Sequence, residues 1–150
     1  MSDPVLKHFN IRVYAIIVND RNEILISDEV FRGIRMTKFP GGGLDLGEGT
    51  IDCLKREAME EFGQEIEILS HFYTTDYFQR ALFFEDQQLI SIYYRAKFAS
   101  EVKFKISTIP FDFDTSKNGL SFRWLKINDI TEDLFTFPID RRVAAMLKGK

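Results

Sequence analysis

Three glutamates on one predicted helix are spaced in a way that chemistry explains better than folding does. Glu57, Glu60 and Glu61 stand at positions i, i+3 and i+4, so a helix would project their carboxylates from one patch. Like charges at i and i+4 cost a helix roughly 0.2–0.5 kcal/mol, and only Arg56 is placed to compensate. Mg²⁺ prefers carboxylate and water oxygens and leaves positions for substrate phosphates. The patch therefore predicts a divalent-metal site, and the alternative is a solvated helix face.

A glycine-rich loop precedes these acids. Pro40 is followed by five glycines within nine residues: Gly41, Gly42, Gly43, Gly47 and Gly49. Such a loop has unusual backbone freedom and lets its carbonyls and amides approach a ligand closely. It would face the carboxylates of the following helix.

The helix itself is predicted from its apolar spacing. Residues recurring at steps of three and four define one buried face, namely Ile51, Leu54, Ala58 and Phe62. Thr50 is the expected N-cap and Gly63 the expected C-terminal stop.

The loop and helix together match a known signature. Gly42 is followed after five residues by Glu48, then after seven by Arg56-Glu57-Ala58, and then by Glu60-Glu61 and Gly63. This stretch of 23 residues, Gly42 to Gln64, resembles the Nudix box of the Nudix hydrolase family. Two positions depart from the family pattern, because Ala58 and Gln64 stand where aliphatic residues are usual.

The resemblance implies a catalytic site. In the family the box forms a loop–helix–loop that binds Mg²⁺ or Mn²⁺ and cleaves a nucleoside diphosphate linked to another group. By this resemblance Glu57, Glu60 and Glu61 would be metal ligands, joined by the carbonyl of Gly41 or Gly42. Glu57 is the first candidate for the base that activates water. Arg56 would orient the glutamates, Glu48 would hold the loop against the helix, and Gly63 would end the helix.

Other residues are candidates for substrate binding or for the base. Lys38, beside the glycines, and Arg12, on the first strand, could meet phosphates together with Gly42 and Gly43, although solvated charges explain both cations almost as well. The same holds for Arg32 and Arg35. Some family members use a base outside the box, which leaves four further acids open: Asp112, Asp114, Glu85 and Glu101.

The length and composition limit the number of domains and the kind of substrate that are expected. A chain of 150 residues with 45% apolar and 29% charged residues indicates one domain over 1–150. The net charge of −3 gives no general attraction for a nucleic acid polymer, so a small nucleotide substrate is favoured. One cysteine, Cys53, excludes an internal disulfide framework. Without a signal peptide or a long apolar segment, we expect no membrane association and a cytoplasmic location.

The pattern of elements predicts the fold class. Strands are expected at 11–18, 23–27, 65–78, 88–98 and 120–127, with a loop at 30–37 and a mobile connection over the site at 101–118. Asn128 would cap a short helix, and Phe137-Pro138 would open a C-terminal helix ending near Lys148. An aromatic hairpin at 82–87 would either pair two subunits in a homodimer or pack inward. This order predicts an α/β protein: a Nudix-type α/β/α sandwich with a mixed sheet, the box helix and a C-terminal helix.

The predicted function is divalent-metal-dependent hydrolysis of a pyrophosphate linkage. Nucleoside triphosphates, nucleotide sugars and dinucleoside polyphosphates all remain open as substrates. The alternative is a module that keeps a Nudix-like fold and senses a nucleotide without turning it over.

Overall fold

The fold, seen in a computed structural model that describes residues 3–149, consists of strands and two α-helices. In chain order these are β1 (His8–Ile17), β2 (Glu23–Phe31), β3 (Ile34–Lys38), β4 (Gly41–Gly43), α1 (Thr50–Phe62), β5 (Ile66–Thr74), β6 (Gln87–Phe98), β7 (Gly119–Lys126) and α2 (Pro138–Lys148). Two short 3₁₀ helices, Ile127–Asp129 and Glu132–Leu134, connect β7 to α2.

The strands form two sheets. One sheet has the order β4-β1-β6-β5, in which β1 and β6 run parallel and the other pairs are antiparallel. The other has the order β3-β2-β7 and is antiparallel. The predicted mixed sheet is present, and the remaining strands form the second sheet.

Alternation along β1 places core residues on both faces of the sheets. Val13, Ala15 and Ile17 pack into the cluster that contains the buried face of α1. Tyr14 and Ile16 point the other way, into the cluster that contains α2. The two helices therefore cover opposite faces, which confirms the predicted α/β sandwich. No helix within residues 3–149 is long and apolar enough to cross a membrane.

Helix α1 differs from the prediction at its start. Its N-cap is Gly49, whose N–H donates to Asp52 at 3.1 Å, and not Thr50, whose hydroxyl lies 2.6 Å from that of Tyr94. Ile51 was predicted to be buried and is 43% exposed, because the buried face runs through Cys53 and Leu54 instead. The C-terminal stop is confirmed: Gly63 is left-handed with φ 65°.

The predicted loop at 30–37 is wrong, because this stretch forms the hairpin of β2 and β3. The two strands are joined at Arg32 and Gly33, which have φ 50° and 79°. Positive φ at both central residues is typical of the turn that suits the twist of a two-residue hairpin, and glycine adopts it readily. Charged residues and a glycine in this stretch are typical of a loop, so the sequence did not indicate the strands.

The segment at 101–118 does not cover the site, contrary to the prediction. Phe104 stacks on Phe62 at the end of α1, with ring centroids 4.7 Å apart. Gln64 holds the segment: its side chain accepts a hydrogen bond from the Lys103 amide at 2.6 Å and donates to the Glu101 carbonyl at 2.8 Å. A polar residue at the usually aliphatic position thus fixes the connection beside α1.

The remaining boundaries differ by a few residues. The strand predicted at 65–78 ends at Thr74, and the short helix after β7 begins at Ile127, so Asn128 lies inside it. Pro138 opens α2 at its first position, as predicted.

Candidate active site

Arg56 organises the loop before α1. Its guanidinium donates twice to the Glu48 carboxylate, at 3.0 and 2.7 Å, and once to the carbonyl of Gly43 at 3.0 Å. The same group donates to Glu57 at 3.1 Å and to Glu60 at 3.3 Å. One cation therefore ties the glycine loop, the loop acid and two of the three helix glutamates together.

The pair of Arg56 and Glu48 is charged over a wide pH range. Hydrogen bonds from Arg56, helped by the Asp45 amide, lower the pKa of Glu48 to about 2. Hydrogen bonding to Glu48 in turn raises the pKa of Arg56 above its usual range. These contacts fit the roles that the resemblance implies for both residues.

Gly42 lies directly against the Glu57 carboxylate. A Cβ atom at Gly42 would stand 2.3 Å from Glu57 Oε1, so only glycine leaves room for the carboxylate there. At Gly41, a Cβ would stand 2.1 Å from the Val13 carbonyl oxygen and φ is 150°, because β4 presses on β1 at this point. Gly41 and Gly42 are thus required by the close approach of β1, β4 and α1, whereas a Cβ at Gly43 would only make an ordinary contact with Arg12 at 3.5 Å.

Glu61 differs from the other two helix glutamates because it has no contact with Arg56 among the described residues. Within the described chain its side chain makes no salt bridge or hydrogen bond. Burial raises the pKa of Glu61 to about 7, and Lys38 opposes this shift while Glu57, Glu29 and Glu60 add to it. A half-buried carboxyl among other acids is a place where a bound cation would be favourable.

The three glutamates do not converge on one point. Among residues 3–149 no group of three or more His, Cys, Asp or Glu side chains is arranged to hold a metal ion. Arg56 contacts Glu57 and Glu60 but not Glu61, whereas Glu57 and Glu61 line a small pocket together with Gly41. Their hard oxygen donors and the lone carboxyl of Glu61 nevertheless fit a divalent cation.

A cavity of about 450 Å³ opens between the two sheets and α2. Aromatic and sulfur-containing side chains from four parts of the chain form much of its wall: Phe31, Met36, Phe83 and Phe137. Its polar groups include Arg12, Lys38 and Glu29, and its lining also includes Tyr93 and Asp140. The volume lies within the range of about 300–1,000 Å³ that is usual for small-molecule sites.

Arg12, Lys38 and Glu29 connect this cavity to the glutamate patch. Lys38 Nζ lies 3.6 Å from Glu29 and is almost completely buried. The pKa of Arg12 is raised, chiefly by Tyr14 and also by Glu57 and Glu29. Because Arg12 interacts with Glu57, and Lys38 with Glu61, a ligand in the cavity would extend a charged group toward the box.

Only some of the other predicted residues line the cavity. Arg32 lines the cavity, but Arg35 instead packs its guanidinium on Phe111 at 5.2 Å. Gly42 and Gly43 lie at the box and not in the cavity wall. None of the four acids proposed as an alternative base lines the cavity, and Asp112 is paired with Lys105 at 3.2 Å.

Sequence reasoning missed Glu29, Tyr93 and Asp140. Each stands in an element whose pattern explains it without function: Glu29 and Tyr93 on strands, and Asp140 in the first turn of α2, where acids are common. Only the fold brings them to one cavity.

The sequence model of the NUDIX domain matches residues 8–147. The chain belongs to the Nudix family. This match extends the likeness from the box to nearly the whole chain and confirms the prediction of a Nudix hydrolase.

Solved structures of similar fold agree with this assignment. The MutT protein of Methanosarcina mazei Go1 is 19% identical, with 97% of each chain covered and a TM-score of 0.70. A NUDIX hydrolase from Nitrosomonas europaea is 19% identical, with 93% of this chain and 88% of that chain covered and a TM-score of 0.68. An ADP-ribose pyrophosphatase from Streptococcus suis 89-1591 is 14% identical, with 92% and 86% covered and a TM-score of 0.58. Among curated proteins none matches the chain.

Proposed function

We propose that this Nudix hydrolase cleaves the pyrophosphate linkage of a nucleoside diphosphate joined to another group, with Mg²⁺ or Mn²⁺ as cofactor. The observation that carries the proposal is the half-buried Glu61 carboxyl, which makes no salt bridge within residues 3–149 and lies near the Lys38–Glu29 pair at the edge of the cavity. A site that receives both a cation and a polyphosphate would balance these charges. The protein would act in the cytoplasm as a single domain.

Each of the predicted site residues would have its own role in the reaction. Glu57, Glu60 and Glu61 would hold the cation, with the Gly41 or Gly42 carbonyl, and Glu57 remains the first candidate for the base. A bound divalent ion would supply charge neutralisation of the phosphates and a lower proton affinity of the attacking water. Arg12 and Lys38 would bind phosphate oxygens. Arg56 and Glu48 would fix the loop and the helix carboxylates in place.

The test is a substrate panel. Purified protein with Mg²⁺ is incubated with nucleoside triphosphates, nucleotide sugars and dinucleoside polyphosphates, and phosphate is measured with and without added phosphatase. We expect a nucleotide product that retains a phosphate ester, and label from ¹⁸O-water in one product only. Absence of turnover with every divalent cation, while a nucleotide still raises the melting temperature, would favour the sensing module instead.

A further inference from the structure

The guanidinium of Arg12 has free donors in the cavity wall. Its Nε donates to the Tyr14 hydroxyl at 3.0 Å. Among residues 3–149 the guanidinium makes no other hydrogen bond and no salt bridge, so both of its NH₂ groups lack a protein partner. Because polar groups inside proteins are nearly always paired, free donors on this half-buried cation indicate a ligand with acceptor oxygens.

Lys38 brings a second cation with free donors to the same cavity. The residue is 4% exposed, and its Nζ lies 3.6 Å from the Glu29 carboxylate. That distance is too long for a hydrogen bond, and within the described part of the chain Nζ makes none. An ammonium group has three donors and no acceptor. The two cations together therefore offer several unused donors to phosphate oxygens.

Tyr14 contacts both cations. Arg12 and Tyr14 are two residues apart on β1, so their side chains leave the same face of the strand. The Tyr14 hydroxyl accepts from Arg12, and Lys38 Nζ lies 5.9 Å from the centre of the Tyr14 ring. At this distance a cation is attracted to the face of an aromatic ring. One side chain thus links cations from two different strands, β1 and β3.

The ring of Tyr14 is held in place by its packing. It is 6% exposed, and its centroid lies 5.2 Å from that of Tyr93. Gly41 is its partner across β1 and β4, and a Cβ at Gly41 would stand 2.9 Å from Cδ1 of the Tyr14 ring. The glycine therefore leaves the space that the ring occupies. The hydroxyl has a fixed position from which it can orient Arg12.

Without the Tyr14 hydroxyl, Arg12 would have other acceptors nearby. The charges of Glu57 and Glu29 also act on the guanidinium, although neither carboxylate forms a salt bridge with it within residues 3–149. A guanidinium that pairs with a carboxylate uses up two of its donors and part of its charge. The contact with a neutral hydroxyl uses only Nε and leaves the other donors for an anion.

We propose that Tyr14 is a positioning residue, whose hydroxyl holds Nε of Arg12 so that both NH₂ groups face the phosphates of the substrate. Tyr14 itself does not touch the reacting atoms and acts only through Arg12. The proposal deepens the proposed function and rests on it only for the presence of phosphates in the cavity.

The first experiment measures the binding of inorganic pyrophosphate by calorimetry without divalent metal, so that neither the metal site nor turnover contributes. Tyr14→Phe removes the hydroxyl but keeps the ring that contacts Lys38 and Gly41. We expect pyrophosphate to bind this variant at least about fivefold more weakly than the parent, the effect of about one hydrogen bond. In an Arg12→Met background the same change should have no further effect, because the hydroxyl acts through Arg12.

The matched control is Tyr73→Phe, which removes a similar hydroxyl outside the cavity wall. Tyr73 is 9% exposed, its ring centroid lies 6.4 Å from that of Tyr93, and its hydroxyl donates to Asp76 at 2.8 Å. This control should bind pyrophosphate like the parent. A merely structural effect of losing a buried hydroxyl would instead appear in both variants and would persist in the Arg12→Met background.

The second experiment uses kinetics with Mg²⁺ on a substrate that the parent turns over in the panel. Because Arg12 would hold phosphate in the ground state and in the transition state alike, Tyr14→Phe should raise KM at least about fivefold and change kcat by less than about twofold. Arg12→Lys keeps the charge, but a lysine cannot be held at one nitrogen while it presents two others. It should also bind pyrophosphate at least about fivefold more weakly than the parent.

Three results would overturn the proposal. These are equal pyrophosphate affinity of Tyr14→Phe and the parent, an equal loss in the parent and Arg12→Met backgrounds, and absence of pyrophosphate binding by the parent. If Tyr14→Phe does not fold, Arg12→Lys decides the question, and parent-like binding by it would refute the role of Tyr14. Failure of the proposed function would be seen separately, as absence of turnover on the panel by a parent protein that still binds pyrophosphate.

Discussion

At the scale of single residues, Gly42 allows Glu57 to occupy its place. In Gly42→Ala the new methyl group would meet the Glu57 carboxylate, which is the mobile end of a side chain, so Glu57 should move and the backbone should not. We expect activity with Mg²⁺ to fall by about a hundredfold, as loss of one transition-state charge contact does, with a small change in melting temperature. In Gly43→Ala the nearest atom is Arg12 Nη1 at 3.5 Å, an ordinary contact, so this variant should lose much less activity.

A substitution at Glu60 tests whether this residue is a metal ligand or part of a solvated helix face. Its side chain is 58% exposed and shares Arg56 with Glu57 and Glu48. Without metal, Glu60→Gln should change the free energy of unfolding by a few tenths of a kcal/mol, about the size of a helix charge pair. Mg²⁺ at a hundredfold excess over Kd should stabilise the parent by about 2.7 kcal/mol and the variant much less.

The control for this variant is Glu67→Gln, because Glu67 is an equally exposed glutamate paired with Lys97 outside the box. It should gain as much stability from Mg²⁺ as the parent does. If Glu60→Gln also binds Mg²⁺ and hydrolyses substrate like the parent, then Glu60 is a surface residue and its assignment to the metal is wrong.

The Glu48–Arg56 pair predicts a pH dependence of stability. The pKa of Glu48 is about 2 in the folded protein and about 4.3 in an unfolded chain. A lowered pKa stabilises the fold above the unfolded value, and this contribution is lost as the pH falls from about 4.3 toward 2. Unfolding in urea at several pH values should therefore show a shallower acid decline for Glu48→Gln than for the parent. Parallel declines of the two proteins would contradict this role.

At the scale of elements, the left-handed cap of α1 predicts a loss of stability without a loss of site chemistry. Nothing lies within 4 Å of a Cβ built at Gly63, so a substitution there would lower stability only through the strain of its left-handed backbone conformation. Gly63→Ala should cost about 1–2 kcal/mol, and Gly63→Asn less, because asparagine tolerates this conformation. Thermal unfolding measures both, and equal losses would show that the φ of 65° is not the cause.

What the sequence could predict depended on whether a pattern was local. Helix α1, helix α2 and β7 follow from apolar spacing and from Gly63 and Pro138, which act within a few residues. The hairpin of β2 and β3 was missed because its turn, Arg32-Gly33, lies among charges that resemble a loop. The Nudix box could be recognised from the spacing of its residues, whereas the cavity could not be predicted, because Glu29, Tyr93 and Asp140 meet only after β2, β6 and α2 pack together.

At the scale of the whole molecule, the aromatic segment at 82–84 has two competing roles. Leu82, Phe83 and Phe84 are 46%, 43% and 51% exposed, as a surface that pairs two subunits would be. All three also line the cavity, and the Phe83 ring lies 6.0 Å from that of Phe137 in an edge-to-face contact. As part of the cavity wall, the exposed rings would pack against a bound ligand.

The two roles predict different results for Phe83→Asp. If the segment is a cavity wall, the variant should bind GMP at least about tenfold more weakly, since a lost aromatic contact with a base is worth about 1–3 kcal/mol, and its mass by light scattering should equal that of the parent. Phe78→Asp is the control, because Phe78 is 55% exposed but does not line the cavity. A dimeric parent that becomes monomeric in Phe83→Asp with GMP binding intact would show that the segment joins subunits, and the cavity would then be closed by other residues.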